Sequence, residues 1–264
     1  MVTLTPAAAL PFAELVEVWN AAYAGYFVPL NFDEAMLARH IRRSGIDLER
    51  SVVGEIEGRR FGLSMAALRV SRAWIGGFGV APEHRRRGLA TRLMQAHLER
   101  IGRDAAEVWL EVIAENPARE VYRRCGFAET RELLMFEGEP GAGEAWGNLD
   151  ADTLRALHAR LNPVRPTWRR DWLCVEDGLA EGAVAIGPGT GEAYAVVLPG
   201  ERLAMLDAGA ADEAAGRALF AAVAARWPRR PLRLVDEPVG SPLARAAEAC
   251  GLTIGLRQFE MLRR

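Results

Sequence analysis

The chain contains no lysine: all 33 of its basic residues are arginine, set against 35 Asp and Glu for a formal net charge of -2. A nearly neutral balance excludes a globally basic, nucleic-acid-coating surface, and the missing lysine, beside the many alanines, reads as coding composition rather than function. Cysteine is also scarce. Cys125, Cys174 and Cys250 are odd in number, far apart and without metal-ligand spacing, so neither a disulfide framework nor a zinc site is indicated, and a reducing cytoplasm fits. The four histidines, His40, His84, His97 and His158, show no i, i+4 pairing, and no metal is expected. No run of about 18 apolar residues occurs, and Glu14 and Glu17 interrupt the apolar pattern near the N-terminus, so no export signal or membrane span is expected.

What is present is enough apolar material for a sizeable core: 264 residues, half of them hydrophobic, more than one domain needs and comfortable for two. Residues 11–24 place Phe12, Leu15, Val16, Trp19 and Tyr23 at helical spacing, and "NFDEAMLARHIRRSG" repeats the signal with an Asn or Asp cap before it and Gly45 after it. The period then changes. "SVVGEIEG", "RRFGLSMAALRV" and "AWIGGFGV" have strand character with turn residues between them. A helix after Gly88, the strand "EVWLEVIA", the short helix "PAREVYRRCG" and the strand "FAETRELLMFEG" complete the order ααβββαβαβ.

The segment "EPGAGEAWGN" (139–148) has no apolar period and contains Pro140, Gly141, Gly143 and Gly147, which marks a linker between residues 1–138 and 149–264. Beyond it, "LDADTLRALHARL" reads as a helix capped by Asp150 or Asp152, and "GAVAIG", "GEAYAVVLPG" and "RLAMLDAGA" as strands. Between them, "RPTWRRDW" mixes Arg165, Trp168, Arg169, Arg170 and Trp172, a combination that suits nucleotide stacking or an interdomain brace, and the slightly negative overall charge favours the brace. The tail also repeats the first half. "RRRGLATRLM" aligns with "ADEAAGRALF" at an offset of 126, and "PAREVYRRCGF" with "PLARAAEACGL" at an offset of 125, so the chain reads as a tandem repeat.

In the first copy a Gly-rich strand leads through "HRRRGLAT" into a helix. The unpaired N–H groups and positive dipole end of a helix start accept an anion, and a small residue lets it approach the backbone. The stretch is neither a Walker loop nor a three-glycine dinucleotide fingerprint. Taken alone, it supports either an anion site or a merely solvated helix start.

A second feature sharpens this. Arg85-x-x-Gly88-x-Ala90, preceded by Val80-x-Pro82-Glu83, resembles the Arg/Gln-x-x-Gly-x-Gly/Ala signature of the GCN5-related N-acetyltransferase (GNAT) superfamily, and "WLEVIAENPAREVYRRCGF" resembles that family's strand, Asn, helix, Tyr and Gly-Phe ending. The likeness covers about residues 1–137. It implies an α/β fold of two tandem GNAT-like domains, each a mixed, mostly antiparallel sheet flanked by helices, and transfer of an acetyl group from acetyl-CoA to a primary amine.

By that resemblance, residues Arg85, Arg86, Arg87, Gly88, Leu89, Ala90 and Thr91 hold the pyrophosphate of coenzyme A, mostly through backbone amides. Phe78, Gly79 and Val80 lie along the pantetheine arm and acyl carbonyl, and glycines at 76, 77 and 79 fit a strand that lets a ligand sit against its backbone or simply mark a bulge. Tyr122 matches the tyrosine that protonates the leaving thiolate; its pKa of about 10 lies close enough to a thiol's ~8.5 for transfer. Glu111 matches a glutamate that acts as base in one branch, the acetylases of ribosomal protein N-termini, and water-relayed or unassisted deprotonation stands beside it. Asn116 is five residues past Glu111 as in that branch, but one residue closer to Tyr122 than the commonest spacing. The two N-terminal helices and their loop shape the acceptor pocket in the family, which points to Tyr23, Tyr26 and Phe27, residue types that also serve as core beside helices.

The second copy departs where it matters: Gly88 aligns with Ala214, the arginines with Ala211, Asp212 and Glu213, and Tyr122 with Ala247. Acidic residues repel a pyrophosphate, so this copy is expected to bind no coenzyme A. The leading reading is direct attack in a ternary complex by a monomer or homodimer; the alternatives are a non-catalytic acyl-CoA-binding sensor or interaction module, and a ligand-free structural repeat.

Overall fold

A computed structural model describes every residue except 1, 29, 103 and 163, and in it the chain divides into two units, Met1–Thr130 with Glu260–Arg264, and Arg131–Phe259. The first runs β1 (Val2–Pro6), α1 (Phe12–Ala22), α2 (Glu34–Ser44), β2 (Ile46–Ile56), β3 (Arg59–Arg69), β4 (Arg72–Val80), α3 (Leu89–Ile101), β5 (Glu107–Ile113) and α4 (Ala118–Arg124). There follow β6 (Ala128–Gly138), β7 (Gly147–Asn148), α5 (Ala151–Leu161), α6 (Trp172–Ala180), β8 (Val184–Gly187), β9 (Ala193–Leu198), β10 (Leu203–Ala210), α7 (Glu213–Arg226), β11 (Leu232–Pro238), α8 (Pro242–Ala249) and β12 (Thr253–Arg263). The order ααβββαβαβ therefore occurs twice, as α1 to β6 and as α5 to β12.

Three elements escaped the sequence reading: β1, α6 and the two-residue β7, which lies at the end of the expected linker and pairs with β8. β1 pairs antiparallel with β2, Val2 opposite Ile56. Its five residues alternate, but too briefly to stand out. The Arg/Trp-rich stretch ends in α6, whose Gly178 lowers helix propensity and hid the signal. Caps went as foreseen: Asp33 accepts from Met36 N at 2.7 Å, Gly45 ends α2 at φ 65°, and Asp150 accepts from Thr153 N at 2.9 Å.

In the first unit the sheet order is β1-β2-β3-β4-β5, antiparallel except for the parallel pair β4–β5. That pair is short: Arg72, Ala73 and Trp74 face Glu107, Val108 and Trp109, and there the ladder stops. β4 also carries a bulge, because Met65 pairs with Gly77 and Ala66 with Ile75, which leaves Gly76 as the extra residue. The extra residue resets the alternation, so Trp74, Gly77 and Gly79 turn to the face covered by α1 and α2, and Phe78 and Val80 to the face covered by α3 and α4. On the latter, Leu89 and Leu93 of α3 pack with Val52, Phe61 and Val80.

The second unit repeats these features. Its order is β12-β6-β11-β10-β9-β8-β7; β10–β11 is its parallel pair, again of three residues (Leu203, Ala204 and Met205 against Leu232, Arg233 and Leu234), and Leu206 is the extra residue of a bulge on β10. β9 shows the period of two plainly: Ala193, Ala195 and Val197 join the core with α7 and α8, while Tyr194 and Val196 join α5 and α6. Both units are mixed, mostly antiparallel sheets flanked by helices. Among the described residues no helix is long and apolar enough to cross a membrane.

Candidate active site

The turn between β4 and α3 is an exposed loop that ends at a bare helix start. Arg86 (φ 60°) and Gly88 (φ 75°) both adopt left-handed backbone, and Gly88 is the N-cap residue of α3, with no side chain to cap it. A Cβ at Gly88 would meet no atom within 4 Å, so the space above the helix start is open. The first α3 amide with a carbonyl partner is that of Arg92, which donates to Gly88 O at 3.2 Å; those of Leu89, Ala90 and Thr91 precede it. Arg86 and Arg87 are exposed beside it. Arg85 has a different job. Its Nε donates to Val80 O (2.8 Å) and its Nη2 to Ala24 O (2.9 Å) and Ala22 O (3.3 Å), so its guanidinium ties the loop to the ends of β4 and α1.

Below the loop, β4 and β5 have separated. Phe78 lies 5.6 Å, ring to ring, from Tyr122 of α4, and Tyr122 lies 6.0 Å from Phe127. Tyr122 is buried, and burial pushes its phenol well above the ordinary range, with Tyr23 and Tyr26 adding to the shift. Tyr23 is raised as well, by burial first and then by Tyr26, against the hydrogen bond from Phe78 N. The rings of Tyr23 and Tyr26 are 5.2 Å apart, so three of the chain's four tyrosines gather here. The Tyr23 hydroxyl accepts from Phe78 N at 2.9 Å and thereby holds the splayed strand. Asn116 Oδ1 accepts from Ala118 N (2.9 Å) at the start of α4, and its Nδ2 donates to Tyr26 OH (3.4 Å).

On the α1/α2 face, Glu111 Oε2 accepts from Trp74 Nε1 at 2.7 Å. An aromatic series continues from there: Trp74 to His40 (6.4 Å), His40 to Trp19 (5.3 Å), Trp19 to Tyr23 (4.6 Å), then Tyr26 and the half-exposed Phe27 (5.5 Å). The His40 ring also bonds Gly76 O at the bulge, 2.9 Å from Nε2. Trp74 and His40 are members of the site that sequence reasoning missed; an apolar-face histidine on α2 and a tryptophan beside two glycines were the available signals. The glycines themselves serve packing. A Cβ at Gly77 would lie 2.6 Å from the Trp19 ring, and one at Gly79 would lie 2.9 Å from Ala22 O, so both let α1 seat closely on β4.

The corresponding parts of the second unit are closed. Asp212 caps α7 with its own carboxylate, accepting from Ala215 N at 2.8 Å. Beyond the short parallel ladder, Arg170 bridges the strands: Nε donates to Asp207 (2.9 Å), Nη2 to Ala208 O (2.5 Å), and Nη1 to Glu237. Burial opposes the Arg170 charge, but Glu237 and Asp207 outweigh it and raise its pKa. Arg169 pairs with Asp236 (2.7 and 2.9 Å), so Arg169 and Arg170, expected as an interdomain brace, make these bonds inside the second unit.

These features define the class: two copies of one α/β architecture, of which the first keeps an open strand pair and an uncapped helix start. Residues 12–127 match the model of the acetyltransferase (GNAT) family. Among solved structures, the GCN5-related N-acetyltransferase from Sphaerobacter thermophilus is 16% identical with a TM-score of 0.68, over 100% of this chain and 95% of that one. A tandem GNAT protein from the clavulanic acid biosynthesis pathway is 15% identical with a TM-score of 0.67, over 99% and 98%. One from Anabaena variabilis is 17% identical with a TM-score of 0.68, over 100% and 72%. No curated protein matches the sequence.

Proposed function

We infer that the chain is an acetyl-CoA-dependent N-acetyltransferase that moves the acetyl group to a primary amine by direct attack in a ternary complex. The observation that carries this reading is the convergence of an uncapped helix start, a splayed strand pair and the buried Tyr122 of α4 in one unit, while the other has a capped helix start, a bridged strand pair and Ala247 in the tyrosine's place. The donor fits the residues present: the pyrophosphate suits the amides of residues 86–91 below an open Gly88, and its charge suits Arg86 and Arg87, with Arg85 holding the loop in shape. Phe78, Gly79 and Val80 supply the adjoining strand, and Asn116 orders the far wall. Donor binding belongs to the first unit, since in the second the Asp212 carboxylate and the Arg170 bridge occupy the equivalent groups.

The amine nitrogen attacks the acetyl carbonyl carbon, the C–S bond breaks, and the departing sulfur takes a proton. Tyr122 gives that proton. Its raised pKa keeps it protonated at neutral pH, and the burial that raises it also raises the proton affinity of a thiolate beside it, so the two stay matched. Glu111, oriented by Trp74 on the face of the aromatic series, takes the proton that the amine loses. Tyr26 and Phe27 flank the acceptor, with Tyr23 behind them.

The test is kinetic. Tyr122→Phe should lower turnover by about a hundredfold or more, the ordinary worth of a general acid, with acetyl-CoA affinity by calorimetry little changed. Unaltered turnover removes Tyr122 from the chemistry, and failure of the intact protein to bind acetyl-CoA removes the whole reading.

A further inference from the structure

The longest uncharged run of the chain lies between Glu17 and Asp33. Its 15 residues, 18–32, include no Asp, Glu, Arg or His in a chain of which 26% is charged, and they form the end of α1 and the turn towards α2. A cavity of about 470 Å³ lies in this turn, and all its described lining residues fall between Asn20 and Asn31. Its size is that of a small-molecule site, roughly 300–1,000 Å³. The wall carries no side-chain charge. Arg85 bonds Ala24 O at 2.9 Å but is not among the lining residues, and Asn20 engages both ends of its amide with the backbone of Phe32.

Aromatic surface takes the place of charge. Tyr23, Tyr26 and Phe27 line the cavity and meet edge to face, with ring centroids 5.2 and 5.5 Å apart and interplanar angles of 89° and 88°. Phe27 ends this series 51% exposed, so the last ring is left half uncovered. A further aryl ring extends the same edge-to-face packing, and the face of a Tyr or Phe ring also attracts an ammonium group. The tyrosine hydroxyls mark the end nearest the splayed strand: Tyr23 OH meets Phe78 N at 2.9 Å, and Tyr26 OH meets Asn116 Nδ2 at 3.4 Å. A second cation or a carboxylate on the occupant gives up water here and finds no counter-charge.

We propose that the acceptor is a primary monoamine on an uncharged aryl body, an arylalkylamine, whose ring packs on Phe27 and Tyr26 while its nitrogen lies at the hydroxyl end beside Phe78. Polyamines and free amino acids, which bring further charge, are rejected by the same wall. The assignment rests on the acetyl-transfer reading and narrows its amine to one class; with 2-phenylethylamine the products are N-acetyl-2-phenylethylamine and coenzyme A.

The probes are 2-phenylethylamine, spermidine and phenylalanine, given to the full chain with acetyl-CoA. The kcat/KM for 2-phenylethylamine should exceed that for either of the others by about tenfold or more. Titration of 2-phenylethylamine alone into protein with methyl-labelled valine and leucine should shift the signals of Val28 and Leu30, which line the cavity, in a saturable manner. Phe27→Glu, a change at a half-exposed position, should lower kcat/KM for 2-phenylethylamine about fivefold or more and raise that for spermidine, with acetyl-CoA affinity by calorimetry unchanged. Spermidine or phenylalanine acetylated as well as 2-phenylethylamine, or no saturable shift, overturns the proposal and leaves acetyl transfer standing. Saturable binding of 2-phenylethylamine with no amine acetylated supports the ligand class and removes the transfer reading instead.

Discussion

Acid should loosen the first unit through a single histidine. His97 of α3 is fully buried, with Nε2 2.9 Å from Arg50 O and Nδ1 2.6 Å from Ser64 Oγ. A nitrogen facing a carbonyl must carry the hydrogen, so Nε2 donates, Nδ1 accepts from the serine, and the ring is neutral. Burial lowers its pKa from 6.5 to about 4, with Arg100 assisting and the Arg50 carbonyl opposing. The unfolded chain takes up this proton below about pH 6.5, the folded one only below about 4, so stability is complete above the first value and is lost as pH falls towards the second. At 1.36 kcal/mol per unit the full loss is about 3 kcal/mol, and about 2 kcal/mol of it is gone by pH 5, a large part of a typical 5–15 kcal/mol. Urea unfolding at pH 7, 6 and 5, read from the methyl signals of Val52 of β2 and Leu93 of α3, which share one core cluster, reports on this unit alone. His97→Gln keeps a donor and an acceptor without titrating; its stability curve should be the flatter of the two by about 2 kcal/mol between pH 7 and 5. Parallel curves, or a His97 signal that titrates near 6.5, would refute the reasoning.

Other perturbations test the remaining parts. Gly88→Ala should fold, at a cost of about 1–2 kcal/mol for its left-handed backbone, and should weaken acetyl-CoA in calorimetry because the methyl group stands where the pyrophosphate approaches. In Gly62→Ala the new Cβ falls on Gly79 O, a backbone atom that cannot yield; a loss of about 1–3 kcal/mol or more is expected in thermal unfolding of the first unit. Arg170→Met leaves Asp207 and Glu237 buried without their cation and should cost about 3–5 kcal/mol in the second unit, visible as a lower midpoint for that unit in urea.

Periodicity and caps made most of the architecture legible. The α2 boundaries followed from Asp33 and Gly45, and the repeat was visible because Cys-Gly after a Pro-led helix recurs at nearly constant offset. The glycines of β4 show the limit of such reading. Their presence announced an unusual strand, but whether a ligand or a neighbouring helix demanded them depended on what lay across the sheet, and α1 does at 77 and 79. Arg85 looks in sequence like its neighbours at 86 and 87, yet its reach to Ala22 and Ala24 depends on α1 ending nearby in space, some sixty residues away along the chain. The Arg170 bridge was hidden for the same reason: Arg170, Asp207 and Glu237 are some thirty or more residues apart in sequence and meet where β10 and β11 part after three pairs.

The two helix starts that follow the bulged strands bear most directly on function. An aspartate at the N-cap is worth about 1 kcal/mol, and α7 takes that stabilisation from Asp212. α3 forgoes it and adds left-handed backbone at Arg86 and Gly88. On the acetyl-CoA reading, the donor's pyrophosphate would supply the partner that the α3 start lacks. The corollary is that opening one device in the second unit is not enough. Asp212→Gly bares the α7 amides but leaves Arg170 spanning β10 and β11, so this variant should lose only about a few tenths of a kcal/mol of stability and still titrate with a single equivalent of acetyl-CoA in calorimetry. A second equivalent would mean that the cap alone kept the donor out and that the bridge is only structural.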